Sequence, residues 1–332
     1  MEKSIAVVVT YNRLSLLTEC IDALRNQTRK PDAILVVNNG STDNTESWLQ
    51  SQEDLFYISQ NNVGSSGGFN AGITWAFKND YSWIWCMDDD GYPKQDALEK
   101  ILEPETDRLV LRNCAVLNKE DKKSFVWKTK NFKTIDEVNQ PIIEGIGHPF
   151  NGTMLHRNIV ERVGVPKTKL FLWGDETEYY YRITRQNKIP VVTVADSIHY
   201  HPAAAFSYKK DWDYNSAWKM YFYVRNRFDI HRSKFSSGAV AFINYCCFLL
   251  AMVGVILVFQ KTDKFKKIVF MIWPAADAFT RNYVATPQYI LSRLSTPVKE
   301  IDTNSSSNKW SDFITNLFAP FAVLGNRRAA NI

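Results

Sequence analysis

The chain opens on Ile5-Ala6-Val7-Val8-Val9, an apolar run without alternation, the pattern of a strand covered on both faces. Leu14, Leu17, Ile21 and Leu24 then recur at helical spacing within Leu14–Asn26, which gives one apolar helix face. Residues 33–37 repeat the strand pattern, and Asn39-Gly40-Ser41-Thr42-Asp43 is turn chemistry leading into a short helix. Residues 55–59, 67–79 and 82–87 read as strand, helix and strand. This alternation predicts an α/β fold, a doubly wound and mostly parallel sheet whose ligands bind at the carboxyl ends of its strands. Residues 108–155 read as short strands and loops, followed by a helix over 176–186 and a strand over 191–194.

After Pro202 the pattern changes. Residues 212–230 are aromatic and basic at helical spacing, and residues 236–260 run 25 positions without a charge. A boundary is expected near residue 205, between a catalytic domain (1–205) and a helical, apolar and basic extension (206–332) in which 304–308 is a short polar linker.

Composition excludes a disordered or fibrous chain, with 45% hydrophobic and 23% charged residues among 332. Charge is more informative by halves. Residues 1–200 carry 23 Lys and Arg against 27 Asp and Glu, whereas residues 201–332 carry 17 against 8. The acidic half suits a cation and the basic half an anionic surface. Five cysteines without paired spacing fit a reducing cytosol, and the apolar run at the start is too short for a secretory signal, so a cytoplasmic location is expected.

The strongest chemical signal is Trp83-Ile84-Trp85-Cys86-Met87-Asp88-Asp89-Asp90, in which three carboxylates end a buried strand. They repel one another and are costly without a cation; oxygen ligands there suit Mg²⁺ or Mn²⁺, which in turn binds a diphosphate. A solvated acidic turn is the plainer alternative. Thr10-Tyr11-Asn12-Arg13 and Asn38-Asn39-Gly40 end the first two strands, where a nucleotide would sit, although turn and capping chemistry also explains them. Asn61-Asn62-Val63-Gly64-Ser65-Ser66-Gly67-Gly68-Phe69-Asn70-Ala71-Gly72 has the glycines of a phosphate cradle without the Lys-Ser/Thr ending of a Walker loop.

Together these elements, with Trp173-Gly174-Asp175-Glu176-Thr177-Glu178, resemble the family 2 glycosyltransferases, inverting nucleotide-sugar enzymes of the Rossmann-like GT-A fold. The resemblance spans roughly residues 5–205, with Asn38 standing where many members carry an Asp. It implies that Thr10, Tyr11, Asn12, Arg13, Asn39, Asn62, Gly67, Gly68, Asp88 and Asp89 bind the donor and that Asp90 is the main metal ligand. It further implies a histidine ligand, His199 or His201, and a general base within the 175–178 cluster. Glu176 is the first choice for the base and Asp175 the second; helix-dipole complementarity is the plainer role for these acids. Trp173, with Phe171 beside it, would offer an apolar platform to the acceptor sugar, and Glu178 would contact the acceptor; core packing explains the aromatic pair equally well.

Within the family, residues 67–72, 83–91 and 218–226 look most like galactofuranosyl- and rhamnosyltransferases of cell-surface polysaccharide synthesis. UDP-galactofuranose is the first expected donor and dTDP-rhamnose the second, with a glycan or polyprenyl-linked glycan as acceptor. No nucleic-acid partner is expected, and an oligomer is compatible. A nucleotidyltransferase would need basic residues at the glycine-rich segment, and residues 61–77 contain none. A non-catalytic scaffold would have no use for so many mutually repelling acids.

The charge-free run meets the length of a transmembrane helix, but bases flank both ends: Arg225, Arg227, Arg232 and Lys234, then Lys261, Lys264, Lys266 and Lys267. That favours a helix, or a hairpin with residues 268–276, against an anionic inner-membrane surface, with Trp212, Trp218, Tyr221, Tyr223 and Trp273 at the interface. A second soluble core or an oligomer interface is the alternative.

Overall fold

The computed structural model describes residues 2–104, 109–129, 132–203 and 209–295. The expected boundary near residue 205 and the polar stretch 304–308 lie outside the described residues.

The first half alternates as expected: β1 (Ser4–Thr10), α1 (Leu14–Arg25), β2 (Ala33–Asn38), α2 (Thr45–Gln50), β3 (Phe56–Ser59), α3 (Gly64–Lys78), β4 (Trp83–Asp88), β5 (Tyr92–Pro93) and α4 (Ala97–Leu102). Then come β6 (Leu111–Asn118), β7 (Ser124–Thr129), β8 (Phe132–Thr134), β9 (Ile142–Glu144), β10 (Thr153–His156), α5 (Arg157–Val163), α6 (Asp175–Tyr181) and β11 (Val191–His201). Strand order is β3-β2-β1-β4-β10-β6-β11-β5. Strands β3, β2, β1 and β4 run parallel, β10 is antiparallel between β4 and β6, and β11 returns parallel to β6. The sheet is thus mixed and mostly parallel.

The continuous apolarity of β1 has the expected cause. Ile5, Val7 and Val9 enter one core with Ile73 of α3, while Ala6 and Val8 enter the other with Leu17, Ile21 and Leu24 of α1. Burying each such Leu or Ile contributes about 1.5–3 kcal/mol.

Two boundaries move. Strand β11 runs past residue 194 to His201 through a bulge between Val194 and Ile198, which carries the histidines to the sheet's functional edge. Helix α3 begins at Gly64, so Gly67, Gly68 and Gly72 lie inside it, where a Cβ at Gly68 would stand 2.5 Å from Val9 Cγ1 and one at Gly72 2.4 Å from Val7 Cγ1. Gly68 and Gly72 bring the helix down onto β1, whereas a Cβ at Gly67 would meet the Val63 side chain in the loop before the helix. Gly68→Ala is expected to destabilise the protein by about 1–3 kcal/mol, read as a lower urea midpoint at unchanged slope.

The C-terminal part is helical: α7 (Trp218–Lys234), α8 (Gly238–Phe259), α9 (Lys264–Thr280) and α10 (Pro287–Ser295). Residues 212–217 precede the first of these helices instead of opening it. Tyr221, Phe222, Met252, Ile256, Phe270, Met271 and Ile290 form their core. The aromatic residues expected at a membrane interface belong here instead: Tyr221 is buried, and Trp212, Trp218, Tyr223 and Trp273 pack against this cluster. Lys267 is also buried, with its ammonium on Asp211 and Gln260. What α8 exposes is aliphatic and phenyl surface, at Val240, Phe242, Ile243, Leu250, Leu257, Val258 and Phe259. Its buried residues Ala241, Tyr245, Met252 and Ile256 form a single stripe, and α8 is the one described helix long and apolar enough to cross a membrane.

Candidate active site

The site forms where β1, β4 and β11 end and α6 begins. Thr10 Oγ1 donates to Asp89 Oδ2 at 2.7 Å, tying the ends of β1 and β4 together through a pair buried from solvent. Arg13 follows Asn12, whose φ of 54° turns the chain back over the sheet edge. Its guanidinium reaches Asp89 Oδ1 at 3.2 Å and Asp90 Oδ2 at 2.8 Å. The acidic cluster thereby carries its own counter-charge, which sequence spacing does not reveal.

The three aspartates are not equivalent. Burial, then the charges of Asp90 and Asp89, pushes the Asp88 carboxyl well above its usual range, and the charge of Glu176 adds to this. Burial also raises Asp89, opposed by Thr10 and Arg13. For Asp90 burial is outweighed by His201 and Arg13, which hold its carboxyl below the usual range. The influence of Glu176 on Asp88 places the start of α6 within electrostatic reach of the β4 end.

His201 Nε2 stands 3.3 Å from Asp90 Oδ1, an oxygen buried with no hydrogen-bond donor aligned on it. An acceptor-only carboxylate oxygen facing an imidazole nitrogen is a donor pair that suits Mn²⁺ or Mg²⁺, so the residues fit a divalent cation. No group of three His, Cys, Asp or Glu side chains gathers to hold a metal among the described residues, so remaining positions would fall to substrate oxygens and water. His199 is placed differently: fully buried, packed on Gly91, with both ring nitrogens unbonded and its imidazole pushed by burial down to about 3.

Segment 166–174 leads into the acidic motif and is clamped from two sides. From α3, the backbone N–H of Ser66 donates to Phe171 O, Ser66 Oγ to Lys167 O and Asn70 Nδ2 to Pro166 O. From α7, Arg225 donates to the carbonyls of Lys169 and Leu170, and Asn226 to those of Leu170, Leu172 and Trp173. These contacts hold Phe171, Trp173 and Gly174 at φ of 65°, 57° and 104°, sparsely populated conformations that need such over-determination. Arg225 and Asn226 are buried side chains of the helical extension, so α7 is a working part of the catalytic half.

At the start of α6, Asp175 is buried and accepts from Ser65 Oγ at 2.9 Å, while its Oδ1 has no partner. Burial, then the Glu176 charge, pushes its carboxyl well above the usual range. Glu176 is partly exposed and accepts from the Gly174 N–H at 3.1 Å. A folded-state carboxyl raised in this way binds a proton that the unfolded chain has already lost. Stability therefore falls as pH rises from the ordinary aspartate range through the raised value. Asp175→Asn is expected to raise the melting temperature of the ligand-free protein above that window, by about 2–4 °C for each kcal/mol relieved, and the gain should vanish as pH is lowered below it.

Three expected contacts take structural roles. Glu178 is fully buried between Lys167 at 2.6 Å, Arg182 at 3.2 Å and Ser233, which removes it from the acceptor-contacting set. Asn39 is buried with its amide engaged by Gly64 O, Asn62, Gln60 and the Val63 N–H, so it shapes the loop before α3 instead of meeting a donor. Asn62 is exposed but accepts from the Gly64 N–H and Asn39. Asn12 accepts from the Thr42 N–H, and Tyr11 is 43% exposed at the open lip. Trp173 is partly buried, with Tyr223 edge-on to its ring and Lys219 Nζ 5.6 Å from its centre.

Sequence reasoning missed Ser65, Trp127 and Lys219. Trp127 packs on His201. Lys219, held between the rings of Trp173 and Trp218, has its ammonium lowered by burial and by the charge of Arg13, so two cations face the same space. The cation beside an aromatic pair on α7 was the available signal.

Comparison with known proteins agrees with this geometry. The profile of the family described as Glycosyl transferase family 2 matches residues 5–164. Galactofuranosyltransferase GlfT1 of Mycobacterium tuberculosis (strain ATCC 25618 / H37Rv) is 30% identical over 222 residues, covering 63% of this chain and 73% of that protein. The protein of that name from Mycolicibacterium smegmatis is 31% identical over 219 residues, covering 61% and 72%. Among solved structures, S. aureus TarS 1-349 in complex with UDP superposes with a TM-score of 0.52 at 16% identity, over 83% of this chain and 80% of that one. GalNAc-T7 with UDP, GalNAc and Mn²⁺ gives 0.50 at 12%, over 86% and 58%. Fold, acidic strand end and sequence relationship converge: the chain belongs to glycosyltransferase family 2.

Proposed function

We propose that the protein transfers galactofuranose, with inversion, from UDP-galactofuranose to a growing cell-surface glycan carried on a polyprenyl lipid. The observation that carries this reading is Arg13 on Asp89 and Asp90 at the carboxyl ends of β1 and β4, with the charge of Glu176 felt at Asp88. The galactofuranosyltransferase relatives support the choice of donor.

In this reading Tyr11 and Asn12 border the nucleoside, and Asp88 and Asp89 lie beside the ribose and diphosphate. Arg13 and Lys219 face the diphosphate charge. Asp90 and His201 would hold Mn²⁺ or Mg²⁺, which neutralises the departing diphosphate when bound. Glu176 takes the proton from the acceptor hydroxyl as that oxygen attacks the anomeric carbon, and Asp175, held by Ser65, lies behind it at the start of α6. Trp173 offers its ring to the acceptor sugar. The apolar face of α8 and its flanking bases bring the enzyme to the inner face of the membrane, where a lipid-linked acceptor would be met.

A donor panel tests this directly. UDP-galactofuranose, UDP-galactopyranose, UDP-glucose and dTDP-rhamnose are each supplied with Mn²⁺ and an acceptor glycan, and products are identified by mass and linkage. Transfer only from UDP-galactofuranose is expected; preference for dTDP-rhamnose would overturn the donor assignment.

A further inference from the structure

A cavity of about 230 Å³ opens on the seam between segment 166–174 and the helical extension, outside the catalytic cluster. Lys167, Lys169, Arg232 and Arg281 line it, with Asp229 and Tyr283. Its charges are unevenly matched. Lys167 pairs with Glu178, and Lys169 with Asp229, which also accepts from Tyr283. Arg232 and Arg281 are exposed and have no carboxylate partner among the described residues. Two unpaired guanidinium forks at one small polar cavity are suited to a phosphate, which accepts several charge-assisted hydrogen bonds at once.

One wall joins an apolar surface. Phe228 lines the cavity, its ring 5.4 Å from Phe279, which lies 5.5 Å from Phe242 near the start of α8. Phe279, Phe242, Ile243 and Val284 are 42–80% exposed. A free phosphate has no use for this surface, whereas an amphiphile fits both parts.

We propose that the cavity binds the phosphate headgroup of an anionic phospholipid whose acyl chains lie along the exposed face of α8. This rests on the membrane-associated reading above and deepens it by fixing the attitude of α8. Its buried stripe, Ala241 to Ile256, runs along the rest of the helical core, and α7 is bonded to segment 166–174. The cavity stands by the start of α8, and Lys264 and Lys266 follow its end. Both ends of the helix then meet headgroups of one leaflet, and α8 lies in the interface instead of crossing it.

The test is flotation of the full-length protein with vesicles of phosphatidylcholine alone or mixed with phosphatidylglycerol. Two double variants remove equal charge: Arg232→Ala with Arg281→Ala, and Lys264→Ala with Lys266→Ala. Diffuse attraction of bases to an anionic surface predicts equal losses. The cavity predicts that the arginine pair loses at least about tenfold more partitioning to the mixed vesicles, with transfer to a soluble acceptor unchanged and melting near wild type. Arg232→Lys with Arg281→Lys keeps the charge and should recover little.

Equal losses for the two alanine pairs would overturn the cavity while leaving membrane association standing. No flotation of the wild type would overturn both, with transferase activity measured separately. Inorganic phosphate that binds the wild type and not the arginine variant, while both float alike, would identify a soluble-anion site and also overturn the lipid assignment.

Discussion

Replacing Asp90 with alanine is expected to abolish the Mn²⁺-dependent part of donor binding, lowering nucleotide-sugar affinity in Mn²⁺ by about 10²–10³-fold, as removal of a charge-stabilising group in a dry site does. The reason lies in how the three aspartates divide. Asp88 is raised by burial and by its acidic neighbours, so its affinity for a proton competes with any cation. Asp89 is committed to Thr10 and Arg13. Asp90 alone is held below the usual range, so it stays ionised, and its Oδ1 faces His201. Asp90→Asn keeps the shape and removes the charge, and it should fall nearly as far. Affinity for UDP, titrated by calorimetry with Mn²⁺ or with chelator, separates the effects: the variant should bind equally in both, and the wild type should lose affinity on chelation to the level of the variant. Undiminished Mn²⁺-dependent affinity in Asp90→Ala would move the metal elsewhere.

The parts of this site that the sequence shows are those fixed by period and local chemistry. The unbroken apolarity of residues 5–9 reports two buried faces, and three carboxylates after residues 83–87 report a strand end that needs positive charge. What stays hidden depends on partners far away in the chain. Glu176 and Glu178 read alike in sequence, yet Glu178 is enclosed by Lys167, Arg182 and Ser233. Alternation puts His199 and His201 on one side of a strand; only the packing of Gly91 against the first and Asp90 beside the second tells them apart. The glycines of α3 advertise close backbone approach, but whether to a phosphate or to Val9 is decided by where the helix starts. Arg225 and Asn226 act on carbonyls some fifty residues earlier, which no local pattern announces.

Glu176→Gln is expected to leave donor affinity within about twofold of wild type and to lower kcat by about 10²–10⁴-fold, the usual worth of a positioned general base. Access separates it from its neighbour. A base must touch the acceptor hydroxyl, and Glu176 is partly exposed with its charge felt at Asp88, whereas Asp175 is buried behind Ser65. Asp175→Asn preserves the acceptor of the Ser65 hydrogen bond and removes a charge that couples to Glu176. Its expected loss in kcat is smaller, about tenfold, because it alters the neighbour of the base and not the base itself. Normal turnover in Glu176→Gln together with a collapse in Asp175→Asn would reverse the two roles, making the buried carboxylate the base and its exposed neighbour the group that tunes it.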